Sequence, residues 1–207
     1  MIKIMIKRHE MLTGHPVGYS PGMVVALQVI QALTFAPIIN SLFTFGEEFG
    51  WRAYLLPKFM PMGGRKAVLI VGVIWGVWHW PVIAMGHNYG LSYPGAPWLG
   101  MLLMVWCTMI YGVFLGWLVI RGGSVWPAVL GHASINAIAG LGLIFMQGRI
   151  NPLLGPSAAG LIGSAGFTIL AVILLLIPAA WKPVSPDVVS GLPAAPAGGE
   201  SPAALEG

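Results

Sequence analysis

Five apolar stretches, each close to the length of a bilayer crossing, constrain this chain more than any other feature: residues 23–45, 67–85, 98–120, 125–146 and 158–181. A helix needs about 20 mostly apolar residues to cross the hydrocarbon core. Only 8% of the residues are charged and 57% are hydrophobic, whereas soluble domains carry roughly 25% charged residues. A chain so poor in charge lacks the polar surface to stand in water. The expected fold is therefore all-α, a polytopic transmembrane helix bundle of about five spans. The expected location is an integral, multi-pass position in the lipid bilayer, the plasma membrane if the source is bacterial. The bundle occupies residues 23–181, between an N-terminal segment (1–22) and a Pro/Ala/Gly/Ser-rich tail (182–207) that has little to bury and is expected to be disordered.

The same features exclude other classes. The net charge is +4, but the ten Lys and Arg residues flank apolar spans instead of forming a stripe, so nucleic acid is not an expected partner. Cys107 is the only cysteine, which rules out an intrachain disulfide and a cysteine-based metal cluster; inside an apolar run it reads as a small buried hydrophobe. The basic residues near the start surround short apolar pieces instead of preceding a continuous hydrophobic run, so no cleavable signal peptide is expected. Residues 86–97 contain no Lys or Arg and read as outside, while the segment with Arg52, Lys58, Arg65 and Lys66 reads as cytoplasmic. Five spans then leave the N-terminus outside, against the preference of Lys3, Lys7 and Arg8. Either a membrane-embedded segment near the start or missing N-terminal spans reconciles the two.

Carboxylates are distributed very unevenly. Between Glu48 and Asp187 there is none. Any carboxylate chemistry in the membrane region therefore falls to the adjacent pair Glu47 and Glu48. An ionisable group at membrane depth is a functional-site hypothesis by default. Glu48 and Arg52 are four apart and share a helix face, so arginine can hold one carboxylate ionised. Glu47 lies about 100° around the helix and is free to face an interior cavity. The alternative for this segment alone is a Glu–Arg pair that anchors a helix end.

Two histidines lie inside apolar stretches. His79 follows Trp75 by one turn, and an imidazole suits proton transfer; the alternative is a hydrogen-bonded packing residue. His132 and Asn136 are four apart on one helix face and can serve an oxyanion or act as interhelical glue. His87, in the polar sequence GHNYG, reads as an ordinary loop residue, and Ser134 lacks the context of a serine nucleophile. Together these groups place a base, a second proton carrier and oxyanion donors on three spans, the parts required for amide hydrolysis by an activated water.

The three motifs, Glu47-Glu48-Phe49-Gly50-Trp51-Arg52, Trp75-Gly76-Val77-Trp78-His79 and His132-Ala133-Ser134-Ile135-Asn136, resemble those of the CPBP family of intramembrane proteases. That family is related to type II CAAX prenyl endopeptidases and includes bacteriocin-processing and bacteriocin-immunity proteins. Its pattern is E-E-x-x-x-R, then F-x-x-x-H, then H-x-x-x-N or D; Trp75 stands where the pattern has Phe. The resemblance covers residues 37–139. Family members commonly carry more N-terminal spans than the single one before the glutamates here. The resemblance implies that Glu47 is the general base, helped by His79. It implies that Glu48 and Arg52 support that arrangement and that His132 and Asn136 form the oxyanion site. It favours no cofactor and no catalytic metal; a metal-dependent version would bind a divalent ion such as zinc through Glu47, His79 and His132. The expected partner is a membrane-associated peptide or protein substrate, prenylated or not. A non-catalytic immunity or partner-binding protein with the same cavity, or a small transporter, are the alternatives.

Overall fold

The computed structural model describes residues 2–14, 20–146 and 151–182. The expected tail from residue 183 onward and the end of the N-terminal segment at residues 15–19 lie outside the described residues. Every regular element among the described residues is helical, the all-α bundle that the apolar stretches require.

Helix α1 spans Ile2–Thr13. The first apolar stretch then forms two helices, α2 (Pro21–Leu33) and α3 (Phe35–Glu48). Ser20 caps α2 by accepting from the Met23 amide, and Pro21 occupies its first turn, where no N–H is missed. The break follows from Pro37. Its ring cannot coexist with a helical carbonyl four residues earlier, at Leu33, so the chain turns at Thr34 and the two helices meet at a bend of 46°. The Thr34 hydroxyl donates to the Ile30 carbonyl at 2.7 Å, satisfying one of the freed carbonyls of α2.

Beyond Glu48 the helix widens into a π-helix, Phe49–Leu55, before the short α4 (Leu56–Phe59). Leu56 donates back to the Trp51 carbonyl, five residues away. Pro57 has no N–H to return to Ala53, and the wider turn accommodates that gap. A 3-10 turn, Met60–Met62, leads into α5 (Gly64–Trp78), which continues with α6 (Trp80–Ala84). Helix α7 (Trp98–Gly122) is the longest, and Gly123 ends it in a left-handed conformation at φ 63°.

Helix α8 (Trp126–Ile138) has 13 residues and α9 (Ala165–Leu176) has 12. A helix of 12 residues is about 18 Å long, short of the roughly 30 Å hydrocarbon core. By length and apolarity the segments Gly64–Ala84 and Trp98–Gly122 can cross a membrane, and the bent first pair makes a third if it counts as one span. The fourth and fifth apolar stretches are thus only partly regular helix. Gly140 and Gly142 interrupt the fourth, and Gly160 and Gly163 sit in turns at the start of the fifth.

Helix α7 lies at the centre, with α5, α8 and α9 against it. The closest crossing is between α5 and α7, and glycines make it. A Cβ at Gly72 would lie 2.7 Å from the Met109 Cα, and one at Gly76 would lie 2.5 Å from the Val105 Cα. Gly112 and Gly116 present the same small-residue spacing from α7, with Gly116 against Val68. Thr108 closes the crossing with its hydroxyl 2.9 Å from the Gly72 carbonyl. Small residues in the fourth and fifth stretches were expected to mediate close approach. Ala128, Ala133 and Ala171 are indeed buried, and Gly142, Gly160 and Gly163 of those stretches lie against the backbone carbonyls of residues 155–157; the close helix–helix crossing is made by the α5–α7 glycines.

Helix α3 packs antiparallel on α8 through two polar side chains. The Thr44 hydroxyl donates to the Val129 carbonyl at 3.1 Å, and the Asn40 amide donates to the Ala133 carbonyl at 3.4 Å. Each pair steps by four residues on both helices, which sets their register. One further turn along α3 is Glu48.

The α5–α7 crossing predicts that Gly76→Ala drives a methyl group into backbone and lowers stability by about 1–3 kcal/mol. Gly50, whose Cβ would meet nothing within 4 Å, should accept alanine with little change. Thermal unfolding of the two variants in detergent, read by a thiol- or aggregation-sensitive probe, checks the contrast.

Candidate active site

Glu48 is the most enclosed ionisable group of the site. Its side chain is 0% exposed and that of Arg52 is 1% exposed. One oxygen, Oε1, accepts from Arg52 Nη1 at 2.9 Å and from His132 Nδ1 at 2.9 Å. The first contact joins neighbouring turns across the α3–π junction; the second joins elements 84 residues apart. A carboxylate has no proton to give, so His132 carries its hydrogen on Nδ1. Three further atoms here, Glu48 Oε2, Arg52 Nη2 and Trp51 Nε1, are buried without a hydrogen-bond partner among the described residues.

Glu47 is half-buried and oriented differently. Its Oε2 accepts from the Trp75 indole N–H at 2.8 Å. Adjacent glutamates thus occupy unlike environments, one locked into an ion pair and the other held by a neutral donor. Glu47 is not a wall residue of the cavity described next; it meets that wall through Trp75.

The cavity has a volume of about 130 Å³ and is lined by Trp75, His79, Cys107, His132 and Asn136 among others. Its floor is apolar, with Met104, Leu115 and Ile135. His79 sits where α5 gives way to α6, and its Nδ1 lies 2.8 Å from the Trp75 carbonyl. A carbonyl only accepts, so this nitrogen also carries the hydrogen and Nε2 is left with its lone pair when the ring is neutral. Asn136, one turn after His132 on α8, is exposed and lies at the cavity mouth.

The far wall comes from the irregular segment of residues 151–164. The Tyr111 hydroxyl donates to the Ala158 carbonyl at 2.7 Å, and that of Tyr89 donates to the Ala159 carbonyl at 2.8 Å. Burial pushes the Tyr89 hydroxyl above its ordinary range, which keeps it protonated as a donor. Cys107 is buried, with Sγ 3.5 Å from the same Ala159 carbonyl.

A family model described as type II CAAX prenyl endopeptidase Rce1-like matches residues 23–138. The chain belongs to this family. The matched interval contains both glutamates, Arg52, Trp75, His79, His132 and Asn136, and so the whole polar constellation. A curated relative, CAAX prenyl protease 2 of Methanococcus maripaludis, is 27% identical over 108 residues. That alignment covers 49% of this chain and 39% of the relative, so the chain spans well under half the length of the protein it matches. No solved structure matches.

Within this Rce1-like chain the three sequence motifs converge as follows. Glu48, Arg52 and His132 are in direct contact, and His79, His132 and Asn136 share the cavity. Trp75 lies between the groups, with its ring centroid 5.8 Å from His79 and 5.2 Å from His132. Among the described residues no group of three or more His, Cys, Asp or Glu side chains is placed to hold a metal ion. Sequence reasoning missed Trp75 as a donor, the two tyrosines that hold the wall, and Asn88, which lines the cavity from the 86–97 loop. Asn88 carried one signal, since its left-handed φ of 64° suits an Asn between Gly86 and Gly90. His87, read as an ordinary loop residue, is exposed.

Removing one partner from a buried ion pair strands the other, at about 3–5 kcal/mol. Arg52→Leu and Glu48→Gln should therefore reduce the amount of folded protein recovered from membranes. Glu47→Gln keeps an acceptor for Trp75 at a half-buried position and should purify with an unchanged size-exclusion profile. Fluorescence-detected size-exclusion chromatography of the three variants separates these outcomes.

Proposed function

We propose that this chain is an intramembrane endopeptidase that hydrolyses a peptide bond in a membrane-associated protein or peptide. The observation that carries the reading is the convergence of His79, His132 and Asn136 on one cavity whose wall residue, Trp75, holds Glu47. Family membership supports the reaction class. The name of the methanococcal relative suggests prenylated CAAX substrates, and a non-prenylated membrane peptide is the other substrate class to be tested.

Glu47 accepts a proton from water as the water oxygen bonds to the scissile carbonyl carbon. The neutral His79 ring presents its Nε2 lone pair on the cavity side of the same wall and assists. As the carbon becomes tetrahedral its oxygen gains negative charge. The Asn136 amide donates to that oxygen. His132 has its Nδ1–H committed to Glu48, so it donates to that oxygen only from a protonated Nε2. Collapse of the intermediate breaks the C–N bond, and the proton taken by Glu47 passes to the leaving nitrogen. Apolar side chains around the cavity keep bulk water scarce, which strengthens each of these electrostatic contacts.

The full chain reconstituted in liposomes tests this with an internally quenched farnesylated CAAX peptide and its non-prenylated twin. Glu47→Gln should lower turnover by at least about 100-fold, and Asn136→Ala by about 100- to 1,000-fold, with folded protein retained in both. Wild-type turnover by Glu47→Gln overturns the assignment. Cleavage of only one of the two peptides identifies the substrate class. Cleavage should also persist in excess chelator; loss that zinc restores would instead assign Glu47, His79 and His132 to a metal.

A further inference from the structure

We propose that Trp75 is the positioning residue of the site, orienting the Glu47 carboxylate through its indole N–H; the inference rests on the endopeptidase reading for its catalytic consequence alone. Four contacts of this one residue carry it. The indole N–H donates to Glu47 Oε2 at 2.8 Å. The Trp75 carbonyl accepts from His79 Nδ1 at 2.8 Å. The Arg52 guanidinium carbon lies 4.4 Å over the indole ring. The ring centroid lies 5.2 Å from that of His132, edge to face. A single side chain and its own carbonyl therefore touch both members of the proposed water-activating pair and both partners of Glu48.

The chemistry of the bond gives it a direction. An indole N–H only donates and a carboxylate oxygen only accepts, so the bond runs from Trp75 to Glu47. It occupies Oε2 and leaves Oε1 for the reaction. A cation over the ring face draws on the same π system, which makes the N–H a better donor. The indole also has little freedom to swing away. Trp75 is 4% exposed, and the neighbouring Gly72 and Gly76 fix the rotation of α5 against the α7 backbone. Phenylalanine at this position would keep the ring beneath Arg52 and lose only the donor. The side chain is thus more than an aromatic filler.

The bond is read first without any substrate. In the full chain, labelled with [15N]tryptophan and held in nanodiscs, the Trp75 indole N–H resonance is assigned by its disappearance in Trp75→Phe. It should move upfield in Glu47→Ala and by a smaller step in Glu47→Gln, whose neutral oxygen is a weaker acceptor. An unchanged resonance in Glu47→Ala overturns the proposal. The catalytic consequence is read with the quenched peptide that the wild-type chain cleaves. Replacement of Trp75 by β-(3-benzothienyl)alanine, which has the shape of tryptophan and no N–H, should lower kcat by about 10- to 100-fold with KM little changed. That is the range for losing one hydrogen bond to a charged group. Wild-type kcat in that variant overturns the positioning role. If the wild-type chain cleaves neither peptide, the endopeptidase reading fails while the resonance experiment still decides the Trp75–Glu47 bond.

Discussion

The site is built on one buried oxygen. Glu48 Oε1 accepts from Arg52 and from His132, and these two donors replace the water that a side chain 0% exposed has given up. Desolvating two full charges is expensive, and their attraction repays it only when the geometry is good and further hydrogen bonds are present. The second donor comes from α8, so the ion pair that stabilises the α3–π junction also fixes the position of a cavity histidine. Folding and site assembly are thus the same event in this corner of the bundle.

The two adjacent glutamates illustrate how neighbours in sequence acquire different chemistry. One residue of helical rotation sends Glu48 into the packed interface and leaves Glu47 half-buried at the edge of an indole. No difference in side-chain type is needed. The division arises from which elements lie on each side of α3, with α8 on one and α5 on the other. The π-helix that follows belongs to the same solution, because it carries Arg52 back beneath the carboxylate while absorbing a proline.

Much of this was legible in the sequence, and the part that was not has a common cause. Spacing of four residues predicts that Glu48 meets Arg52 and that His132 and Asn136 share a face, since both are properties of a single helix. Apolar runs predict an all-α bundle. Contacts between distant segments have no such local signature. The Glu48–His132 bond depends on the register of α3 against α8, and the indole bond to Glu47 depends on how α5 is rotated by its glycines. Hydropathy likewise reports that a stretch is apolar and says nothing of whether it is helical throughout. The turns at Gly160 and Gly163 and the short α8 and α9 emerge only when the backbone is traced. Cavity walls are the extreme case, because Ala158 and Ala159 contribute carbonyls that every residue possesses.

The antiparallel register of α3 and α8 has a consequence for how such chains can vary. Asn40 meets Ala133 and Thr44 meets Val129, so the two helices act as facing rulers; Glu48 is the next turn of α3, and His132, beside Ala133 on α8, reaches it with its side chain. Inserting or deleting one residue between Asn40 and Glu48, or between Val129 and His132, would turn everything beyond it by about 100°. Such a change leaves the composition and hydropathy of the chain almost untouched and removes the histidine from the carboxylate. Length variation among functional descendants of this sequence should therefore accumulate in the 86–97 and 151–164 segments, while these two helical intervals stay free of gaps.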